Sequence, residues 1–470
     1  MIATSQPRAT DAGVRAFEAG GNAVDAALAA AAVLCVTEPM STGLGGDAFA
    51  CVWDDGELFG LDAAGPAPAV VDRAEPVDER GPRSVTVPGA VAGWEALSAR
   101  FGRLGLDACL GAAIDAAEHG FSVAPMTATA WGAGEGASTS WAVAAVPPEY
   151  EPVPRAGARA RMPELAATLR RIALEGPSAL YEGAVARAIC DVCWLAEGDL
   201  AGYRARWVEP LRAGYGPFEV AELPPPTQGI VALEALALLD PLEPSLANLV
   251  RCVELALEDG AREVRDGADV SPLLAEEFLS ARRMAPAPGV GEPGGGTVYL
   301  CAVDGDGTAV SFIQSLFGGF GSGIVAPGTG IVLQNRGACF GSSGRVEPGR
   351  RPYHTIIPGM LLREGALAGP FGIMGGFIQA QAHVQFVSAV ADEGLDPQAA
   401  LDRPRFRVEA DAVCLEEGLW DRAPELERAG HRVRLDTDTM GFGGGQAILV
   451  EDGVLLGGSD PRKDGHAAGL

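Results

Sequence analysis

The sequence predicts an α+β fold, and three observations support this. Alanine- and leucine-rich segments carry helix start and stop signals, which predict helices in the N-terminal part of the chain. Apolar runs flank Asp-Gly turns within 48–62 and 298–314, which predicts antiparallel hairpins. The chain has 470 residues, 48% hydrophobic and 6% aromatic, a composition typical of a globular protein with a large core. We therefore expect one large domain or two interlocked domains.

The two N-terminal helices are predicted from their capping residues. Thr10 is the expected N-cap of a helix that ends at the glycine pair 20–21. Asn22, followed three residues later by Asp25, predicts a second helix that continues to Val36.

A hairpin, a glycine-rich segment and a proline-rich turn follow. Residues 48–53 and 57–62 are apolar runs on either side of an Asp-Asp-Gly turn. Residues 84–94 predict a strand that enters a helix, and they lack the lysine of a phosphate-binding loop. Residues 107–172 alternate between helical and loop patterns. The turn 223–229 precedes another helix, and we expect a connector there rather than the frame of a pocket.

The net charge and the cysteines restrict the class of protein. A formal charge of -27 argues against a nucleic-acid or membrane partner, because such partners need a positively charged face. Nine cysteines, mostly set in apolar stretches, indicate buried thiols in a reducing compartment. Residues 1–7 have neither the charged nor the apolar region of a signal peptide, so a cytoplasmic location is predicted.

No metal or organic cofactor is predicted. The five histidines form no metal-ligand spacing. Cys190 and Cys193 have no second cysteine pair nearby, and we interpret their spacing as chance on a helix.

Thr297 is the candidate nucleophile. A Pro/Gly-rich stretch from Ala285 to Gly296 cannot hold regular structure, and it leads into an apolar strand that begins at Thr297. Cleavage between Gly296 and Thr297 would give the threonine an N-terminal amine, with a pKa of about 8, as the base that its hydroxyl needs. Glycine at 296 would let the scissile carbonyl bend towards the hydroxyl for an N-to-O acyl shift. The alternative is that Thr297 merely opens a strand after a loop.

The residues after Thr297 predict a rigid support and an anion site. Residues 298–303 and 308–314 are nearly continuous apolar strands, typical of a sheet buried on both faces. Three glycine clusters follow, at 318–323, 372–376 and 443–445. Backbone N–H groups are accessible where no side chain covers them, so one of these clusters could form an oxyanion hole.

Short motifs spread over the whole chain carry a family resemblance. They lie at 20–27, 38–39, 43–46, 87–93, 297–304, 320–323, 374–376, 404–406 and 459–462. In sequence and order they resemble the γ-glutamyltranspeptidase family of N-terminal nucleophile hydrolases. The resemblance implies a four-layer αββα sandwich made from a self-cleaving precursor, or zymogen. A large subunit, 1–296, would hold helical layers, part of the sheets and the flexible linker, and a small subunit, 297–470, would begin with the nucleophile.

The resemblance also implies roles for individual residues. Gly375 and Gly376 would hold the oxyanion through their backbone N–H groups, and Ser315 would be the hydroxyl that supports the nucleophile. The two subunits would form one interlocked unit after cleavage, and two such units could form a dimer.

Departures from the family pattern concern the substrate. The arginine that grips the glutamyl α-carboxylate in the transpeptidase has no counterpart in 61–66, and the aspartate that holds the α-amino group falls on Cys339. His354 and Thr355 replace a pair of serines, and the segment after Phe340 is too short for the usual lid loop. These departures favour a substrate other than a γ-glutamyl compound.

The branch of the family that includes oxamate amidohydrolase is similar in three segments, 312–315, 333–337 and 351–355. Its substrate is a carboxylate joined to an amide carbonyl, which needs one cation close to the oxyanion hole. Arg336 is the candidate, because a planar guanidinium matches a carboxylate with two hydrogen bonds. His354 could donate to the substrate or leaving group, or it could orient the sheet edge. Thr355 and Cys339 complete the predicted substrate site.

The leading hypothesis is a self-processing threonine hydrolase of a small, carboxylate-bearing amide, acting through an acyl-enzyme. Three alternatives stay open. The first is a C–C hydrolase that removes an oxalyl or 2-oxo-acid group in specialised-metabolite biosynthesis, as in alkylproline antibiotics. The second is a γ-glutamyl hydrolase or transferase, and the third is an uncleaved scaffold without activity.

Overall fold

The computed structural model describes residues 1–72, 76–132, 146–285, 296–343 and 346–470, with the backbone alone at 341–343. The predicted linker therefore lies outside the described residues, apart from Ala285 and Gly296. The helices are α1 (Pro7–Glu18), α2 (Ala23–Thr37), α3 (Ala90–Phe101), α4 (Leu106–His119), α5 (Pro125–Trp131), α6 (Pro163–Glu175), α7 (Ser178–Tyr181), α8 (Gly183–Cys190), α9 (Glu197–Ala201), α10 (Gly229–Leu239), α11 (Leu246–Glu263), α12 (Glu276–Arg283), α13 (Ile378–Glu393), α14 (Pro397–Asp402) and α15 (Ala423–Arg428).

The strands are β1 (Ile2–Thr4), β2 (Asp47–Asp54), β3 (Glu57–Ala63), β4 (Phe121–Ser122), β5 (Arg159–Ala160), β6 (Arg206–Val208), β7 (Leu211–Tyr215), β8 (Phe218–Glu222), β9 (Gly296–Val303), β10 (Ala309–Phe317), β11 (Val325–Ala326), β12 (Ile331–Val332), β13 (Gly359–Arg363), β14 (Ala366–Met374), β15 (Phe406–Val408), β16 (Val413–Leu415), β17 (Val433–Leu435), β18 (Gly444–Glu451), β19 (Val454–Ser459) and β20 (His466–Ala468).

Two antiparallel sheets organise the chain. The larger has the strand order β20-β1-β9-β10-β2-β3-β6, and the smaller has the order β19-β18-β14-β13-β8-β7. Both hairpins predicted from the sequence are present, as β2 with β3 and β9 with β10. Every residue of β9 is buried, as are all of β10 except Phe317. The prediction of strands buried on both faces is therefore confirmed.

The sheets face each other, and helices cover their outer faces. Ser311 on β10 donates a hydrogen bond across the interface to the carbonyl of Phe371 on β14, at 3.3 Å. Gly372 allows close packing there, because a Cβ at that position would lie 2.4 Å from the ring of Tyr299. Helix α2 packs on β9 and β10 with α1 and α4 outside it, while α10 and α13 pack on the smaller sheet. This is the four-layer αββα arrangement that the resemblance implied.

The predicted start of the first helix is wrong, whereas the cap of the second is confirmed. Helix α1 begins at Pro7, and Thr10 lies inside it with its hydroxyl bonded to the Gln6 carbonyl. Proline fits the first turn of a helix, where its missing N–H is not needed, and this signal outweighs that of Thr10. Asn22 and Asp25 form the expected reciprocal capping box of α2.

The described helices include none with both the length and the apolar character needed to cross a membrane. All nine cysteines lie in the described ranges and none of them forms a disulfide; six are buried and three partly buried. Cys190 is the last residue of α8, and Cys193 lies beyond the helix.

Candidate active site

Thr297 lies at the start of β9, in the middle of the larger sheet, and its side chain is fully buried. Its Oγ1 donates a hydrogen bond to Ser315 Oγ on the adjacent strand β10, at 3.2 Å. The Ser315 hydroxyl donates in turn to the carbonyl oxygen of Gly296, at 2.6 Å. The predicted nucleophile, its predicted supporting hydroxyl and the predicted cleavage site thus meet at one point.

A β-bulge aims Ser315 at this point. The two strands pair regularly up to Gln314 and Val298, after which Phe317 pairs with Gly296, so β10 carries one extra residue. Bulges bend a strand and re-aim its side chains, often beside active sites. Phe317 has a φ of 76°, and its N–H donates to Ser315 Oγ at 2.8 Å.

Arg336 reaches the same hydroxyl from the turn that follows β12. Its Nη2 donates to Ser315 Oγ at 3.3 Å, and its Nη1 donates to Thr355 Oγ1 at 3.0 Å. Nη1 also lies 3.8 Å from Cys339 Sγ, and the guanidinium lies 4.4 Å from the ring centre of Phe317. Three of the predicted substrate-binding residues, Arg336, Thr355 and Cys339, therefore lie together. The hydroxyl of Ser315 lies between Arg336 and Thr297.

The charge of Arg336 is not paired with any carboxylate of the described residues. Its side chain is 0% exposed, yet no Asp or Glu in the described ranges is within ion-pair distance, and its Nε has no acceptor. Burial lowers the pKa of Arg336, while Cys339 and Asp47 act in the opposite direction. Removing a cation from water without a counter-charge is unfavourable, so this position is suited to an anionic ligand.

His354 is also fully buried and contacts a carboxylate. Its Nε2 lies 3.0 Å from Asp47 Oδ2, and Phe49 packs edge-on against the imidazole at 4.6 Å. Burial, together with the charges of Arg336 and Arg351, lowers the pKa of His354 well below its usual range, so the ring is neutral at pH 7. Its Nδ1 has no hydrogen-bond partner within the described part of the chain. The contact with Asp47 favours the orienting role over donation to a substrate.

Asp47 ties several site segments together and was missed by the sequence reasoning. Its Oδ1 accepts hydrogen bonds from the backbone N–H groups of Gly65 and Gly89, at 3.0 and 3.2 Å, and from Gln334 Nε2 at 3.0 Å. Burial raises the pKa of Asp47 to about 7, although Arg336, Gln334 and Gly65 act to lower it. A lone carboxylate at the start of an apolar strand was the available signal.

The strand predicted at the start of 84–94 is absent. Residues 82–84 form a short 3-10 turn, and α3 begins at Ala90. Between them, Thr86 Oγ1 and the Val87 carbonyl accept from the side chain of Gln334, at 2.9 and 3.3 Å. This segment bonds to a side chain of the site instead of to a neighbouring strand, so its apolar pattern was misleading.

Gly375 and Gly376 follow β14 with φ values of 126° and 69°, conformations that favour glycine. A Cβ at Gly375 would lie 2.7 Å from Ile378 Cγ2. Neither N–H donates a hydrogen bond to any acceptor in the described ranges, although both residues are buried. Two such N–H groups can hold an oxyanion.

The other two glycine clusters use their backbone groups within the protein. In the first, Gly318 N–H donates to Asn335 Oδ1 at 2.8 Å. In the third, Gly445 N–H donates to Asp460 Oδ2 at 2.9 Å. Arg80, which the sequence reasoning did not single out, donates to the carbonyls of the first cluster at Gly319 and Gly321. The cluster 372–376 is therefore the better candidate for the oxyanion hole.

Gln228 connects the glycines to the arginine site. Its Nε2 donates to the Thr355 carbonyl at 2.6 Å and to the Gly376 carbonyl at 3.1 Å. The turn 223–229 connects β8 to α10 as expected, and it also bonds to other segments of the site. The turn bonds to the backbone of both Thr355, whose hydroxyl accepts from Arg336, and Gly376.

Comparison with known proteins agrees with this geometry. The sequence profile described as Gamma-glutamyltranspeptidase matches residues 9–470. The chain belongs to the gamma-glutamyltranspeptidase family. The resemblance inferred from the motifs is thereby confirmed.

Two relatives and one solved structure are similar over nearly the whole chain. The glutathione hydrolase-like YwrD proenzyme of Bacillus subtilis is 32% identical, covering 100% of this chain and 98% of the relative. The oxamate amidohydrolase proenzyme of Klebsiella pneumoniae is 34% identical, covering 96% and 94%. The crystal structure of cephalosporin acylase from Bacillus halodurans is 40% identical, with a TM-score of 0.91, covering 99% and 95%.

These relatives confirm that the chain is a hydrolase of the gamma-glutamyltranspeptidase family. Two of them are named proenzymes, which supports a precursor that is cleaved into subunits. Their names differ in substrate, so the substrate of this chain has to be argued from its own site.

Proposed function

We propose that the chain is a precursor that cleaves itself between Gly296 and Thr297, giving subunits 1–296 and 297–470. The mature enzyme then uses Thr297 to hydrolyse a small amide whose scissile carbonyl bears a carboxylate, as in oxamate. The substrate carboxylate binds Arg336, with Thr355 and Cys339 beside it.

The observation that carries this proposal is the buried guanidinium of Arg336, which forms no ion pair with any carboxylate of the described residues. The guanidinium has two hydroxyl acceptors but no carboxylate among the residues described, and a bidentate carboxylate would supply the missing charge. Ser315 separates Arg336 from Thr297. With one hydroxyl between the guanidinium and the nucleophile, this arrangement suits a substrate in which the carboxylate and the reacting carbonyl are adjacent carbons.

The proposed reaction uses these groups in the following order. The free amine of Thr297 accepts the proton of its own hydroxyl, and Oγ1 attacks the amide carbon of the substrate. The backbone N–H groups of Gly375 and Gly376 stabilise the oxyanion, as expected for glycines whose N–H groups have no acceptor within the described part of the chain. The amine leaves with a proton, and water then hydrolyses the Thr297 ester with the same amine as base.

The similarity to a cephalosporin acylase and the small Cys339 side chain support a second candidate. With no cation in 61–66 and no aspartate at 339, the chain lacks both groups that would select a glutamyl compound, which favours a different acyl or ring-bearing group. The second candidate is therefore an acylase or a C–C hydrolase of a 2-oxo acid, as in antibiotic biosynthesis, with the same nucleophile. A cytoplasmic location and a dimer of cleaved heterodimers stay predictions from the sequence.

Intact mass under denaturing conditions tests the nucleophile. The wild-type protein should give two chains, the smaller beginning Thr-Val-Tyr-Leu, whereas Thr297→Ala should stay one chain. Thr297→Ser, which keeps a hydroxyl, should still be cut. A wild-type protein that stays uncut, or that is cut elsewhere, would reject Thr297 as the nucleophile.

Substrate assays on the cleaved enzyme test the proposed hydrolysis of a carboxylate-bearing amide. Ammonia release from oxamate is expected to be faster than from oxamide, in which an amide replaces the carboxylate. Cleavage of N-acyl amides or of 2-oxo acids, with no turnover of oxamate, would favour the second candidate. Turnover of none of these compounds would contradict both.

A further inference from the structure

We propose that Ser315, assisted by Arg336, relays a proton during self-cleavage, from the hydroxyl of Thr297 to the Gly296 carbonyl oxygen. Ser315 is then a catalytic residue of the self-cleavage, because it touches both reacting groups. Arg336 is a positioning residue that acts through Ser315. This inference rests on the proposed self-cleavage and names the groups that carry it out.

A relay is needed because the precursor lacks the base of the mature enzyme. Before cleavage the nitrogen of Thr297 is part of a peptide bond, so it cannot accept the proton of the attacking hydroxyl. Among the residues described, no carboxylate or imidazole hydrogen bonds with that hydroxyl, which donates to Ser315 at 3.2 Å. The first proton acceptor within reach is therefore another hydroxyl.

Ser315 is placed to pass a proton on. Its own hydroxyl donates to the Gly296 carbonyl oxygen at 2.6 Å, and this oxygen gains negative charge when Thr297 attacks. One fully buried side chain thus bridges the attacking oxygen and the oxygen that needs a proton. A concerted transfer along this path avoids an alkoxide and an oxyanion in a buried site, where both would be unfavourable.

The step balances as follows. As Thr297 Oγ1 bonds to the Gly296 carbonyl carbon, its proton moves to Ser315 Oγ and the Ser315 proton moves to the Gly296 oxygen, giving a neutral tetrahedral intermediate. The C–N bond then breaks, the Thr297 nitrogen takes up that proton and becomes an amine, and an ester remains. One water hydrolyses the ester to the Gly296 carboxylate and the free Thr297 hydroxyl.

Arg336 stabilises the middle of this path. Its Nη2 and the N–H of Phe317 both donate to Ser315 Oγ, at 3.3 and 2.8 Å, so they stabilise the negative charge that builds there during transfer. The same guanidinium is the proposed site for the substrate carboxylate. A bound carboxylate would draw the guanidinium away from Ser315, so oxamate is expected to slow the cleavage of the precursor.

Pulse-labelled cell-free synthesis measures the rate at which new full-length chains become two. Ser315→Ala should slow cleavage by about 10²-fold or more, the usual contribution of a positioned proton-transfer group. Ser315→Thr should keep most of the rate. Ser311→Ala, which removes another buried hydroxyl from β10, is the matched control and should cleave like the wild type.

Arg336→Ala should slow cleavage by about 10-fold to 10²-fold, as expected for loss of a charge-assisted hydrogen bond. Added guanidinium should restore part of the rate in Arg336→Ala but not in Ser315→Ala, which a merely structural role of Arg336 would not produce. Oxamate should slow the wild type and leave Arg336→Ala unaffected. Absence of both effects would remove Arg336 from the proposal.

The proposed function and this inference fail differently. A wild-type chain that never cleaves at Gly296 rejects the nucleophile itself. A cleaving wild type together with Ser315→Ala as fast as Ser311→Ala rejects the relay and leaves Thr297 standing. The wild type also gives a test that needs no variant. If two protons transfer in the same step, the cleavage rate should depend on the deuterium fraction of the solvent along a curve. A linear dependence would overturn the relay.

Discussion

Arg336 and Arg405 are both buried arginines, and the protein compensates their charges in opposite ways. Arg405 is 3% exposed and donates to Asp460 Oδ2 at 2.6 Å. Arg336 is 0% exposed and donates to two hydroxyl groups, and none of the described carboxylates pairs with it. The first charge is neutralised inside the fold, whereas the second is left for an anion from outside.

The region around Arg405 is a closed network. Arg462 donates to Asp460 Oδ1 at 3.0 Å and to Glu416 Oε1 at 2.7 Å, so two arginines face two carboxylates. Burial acts to raise the pKa of Asp460, but Arg405 and Arg462 outweigh it and lower that pKa. The family motifs at 404–406 and 459–462 therefore hold the structure together, whereas the segment 333–337 presents a charge to the site.

The largest expected difference between the two regions is in stability. Arg405→Met leaves Asp460 short of a counter-charge and should destabilise the chain by about 3–5 kcal/mol. Arg336→Met removes a buried charge that has no ion-pair partner among the described residues, and it should change stability by less than about 1 kcal/mol. Urea unfolding in a Thr297→Ala background, where every chain is intact, compares the two variants. Equal losses would mean that Arg336 is as structural as Arg405.

Catalytic activity, unlike stability, should depend strongly on Arg336. In the cleaved enzyme, Arg336→Met should lower kcat/KM for oxamate by about 10²-fold, because a buried charge-assisted contact to the substrate is lost. Arg336→Lys keeps the charge without the planar fork and should lose less. Oxamide, which has no carboxylate, serves as the control substrate. If oxamide turnover falls as much as oxamate turnover, Arg336 does not read the carboxylate.

Cys339→Asp should give Arg336 a carboxylate partner within the protein, as Arg405 has in Asp460. Its carboxylate would replace a thiol that lies 3.8 Å from Arg336 Nη1, and it would compete with the substrate for the guanidinium. KM for oxamate should rise by about tenfold, equivalent to about 1.4 kcal/mol, with little change in kcat. Cys339→Asn, of the same size but uncharged, is the control. An unchanged KM in Cys339→Asp would place the substrate carboxylate elsewhere.

Glu234 represents a third solution, in which a buried charge is removed by protonation. Neither of its oxygens has a hydrogen-bond partner among the residues described. Burial, and then the neighbouring Asp259, raise the pKa of Glu234 to about 10. Its pKa in the folded state lies above the unfolded value of about 4.3, so its contribution to stability is full below that value and declines as the pH rises towards 10.

Glu234→Gln should therefore flatten the fall in stability with pH. Between pH 7 and pH 8 the wild type should lose at most about 1.4 kcal/mol more than the variant, the value for one proton per pH unit. The free energy of unfolding at several pH values measures this slope, with the exposed Glu57→Gln as control. Parallel curves for wild type and Glu234→Gln would show that Glu234 is ionised in the folded state.

Local signals in the sequence were sufficient where neighbouring residues decide the structure. The capping box at Asn22 and the hairpin after Thr297 depend on residues a few positions apart, and both are present. The cap at Thr10 failed because a stronger local signal, Pro7, lies three residues before it. The strand expected at the start of 84–94 is absent because Thr86 and Val87 bond to Gln334, a residue far along the chain.

The site residues also divide into those that a local signal identifies and those that only long-range contacts identify. Ser315, Arg336 and the glycines 375–376 were named because they stand in recognisable motifs. Asp47 and Gln228 were not, because a lone aspartate before a strand and a glutamine in a proline-rich turn have many uses. Their role is visible only when Gln334, Thr355 and Gly376 come within hydrogen-bond distance.

The sequence by itself determined the family through its motifs, and through that resemblance the four layers, and its apolar runs indicated a threonine at the start of a buried strand, since all these signals are written in consecutive residues. Only the tertiary structure decided which buried charges are balanced. Arg351 reaches Asp62 across 289 positions, and Arg405 reaches Asp460 across 55. The absence of any such carboxylate beside Arg336, within the residues described, depends on every segment that packs around it, and no local pattern records that.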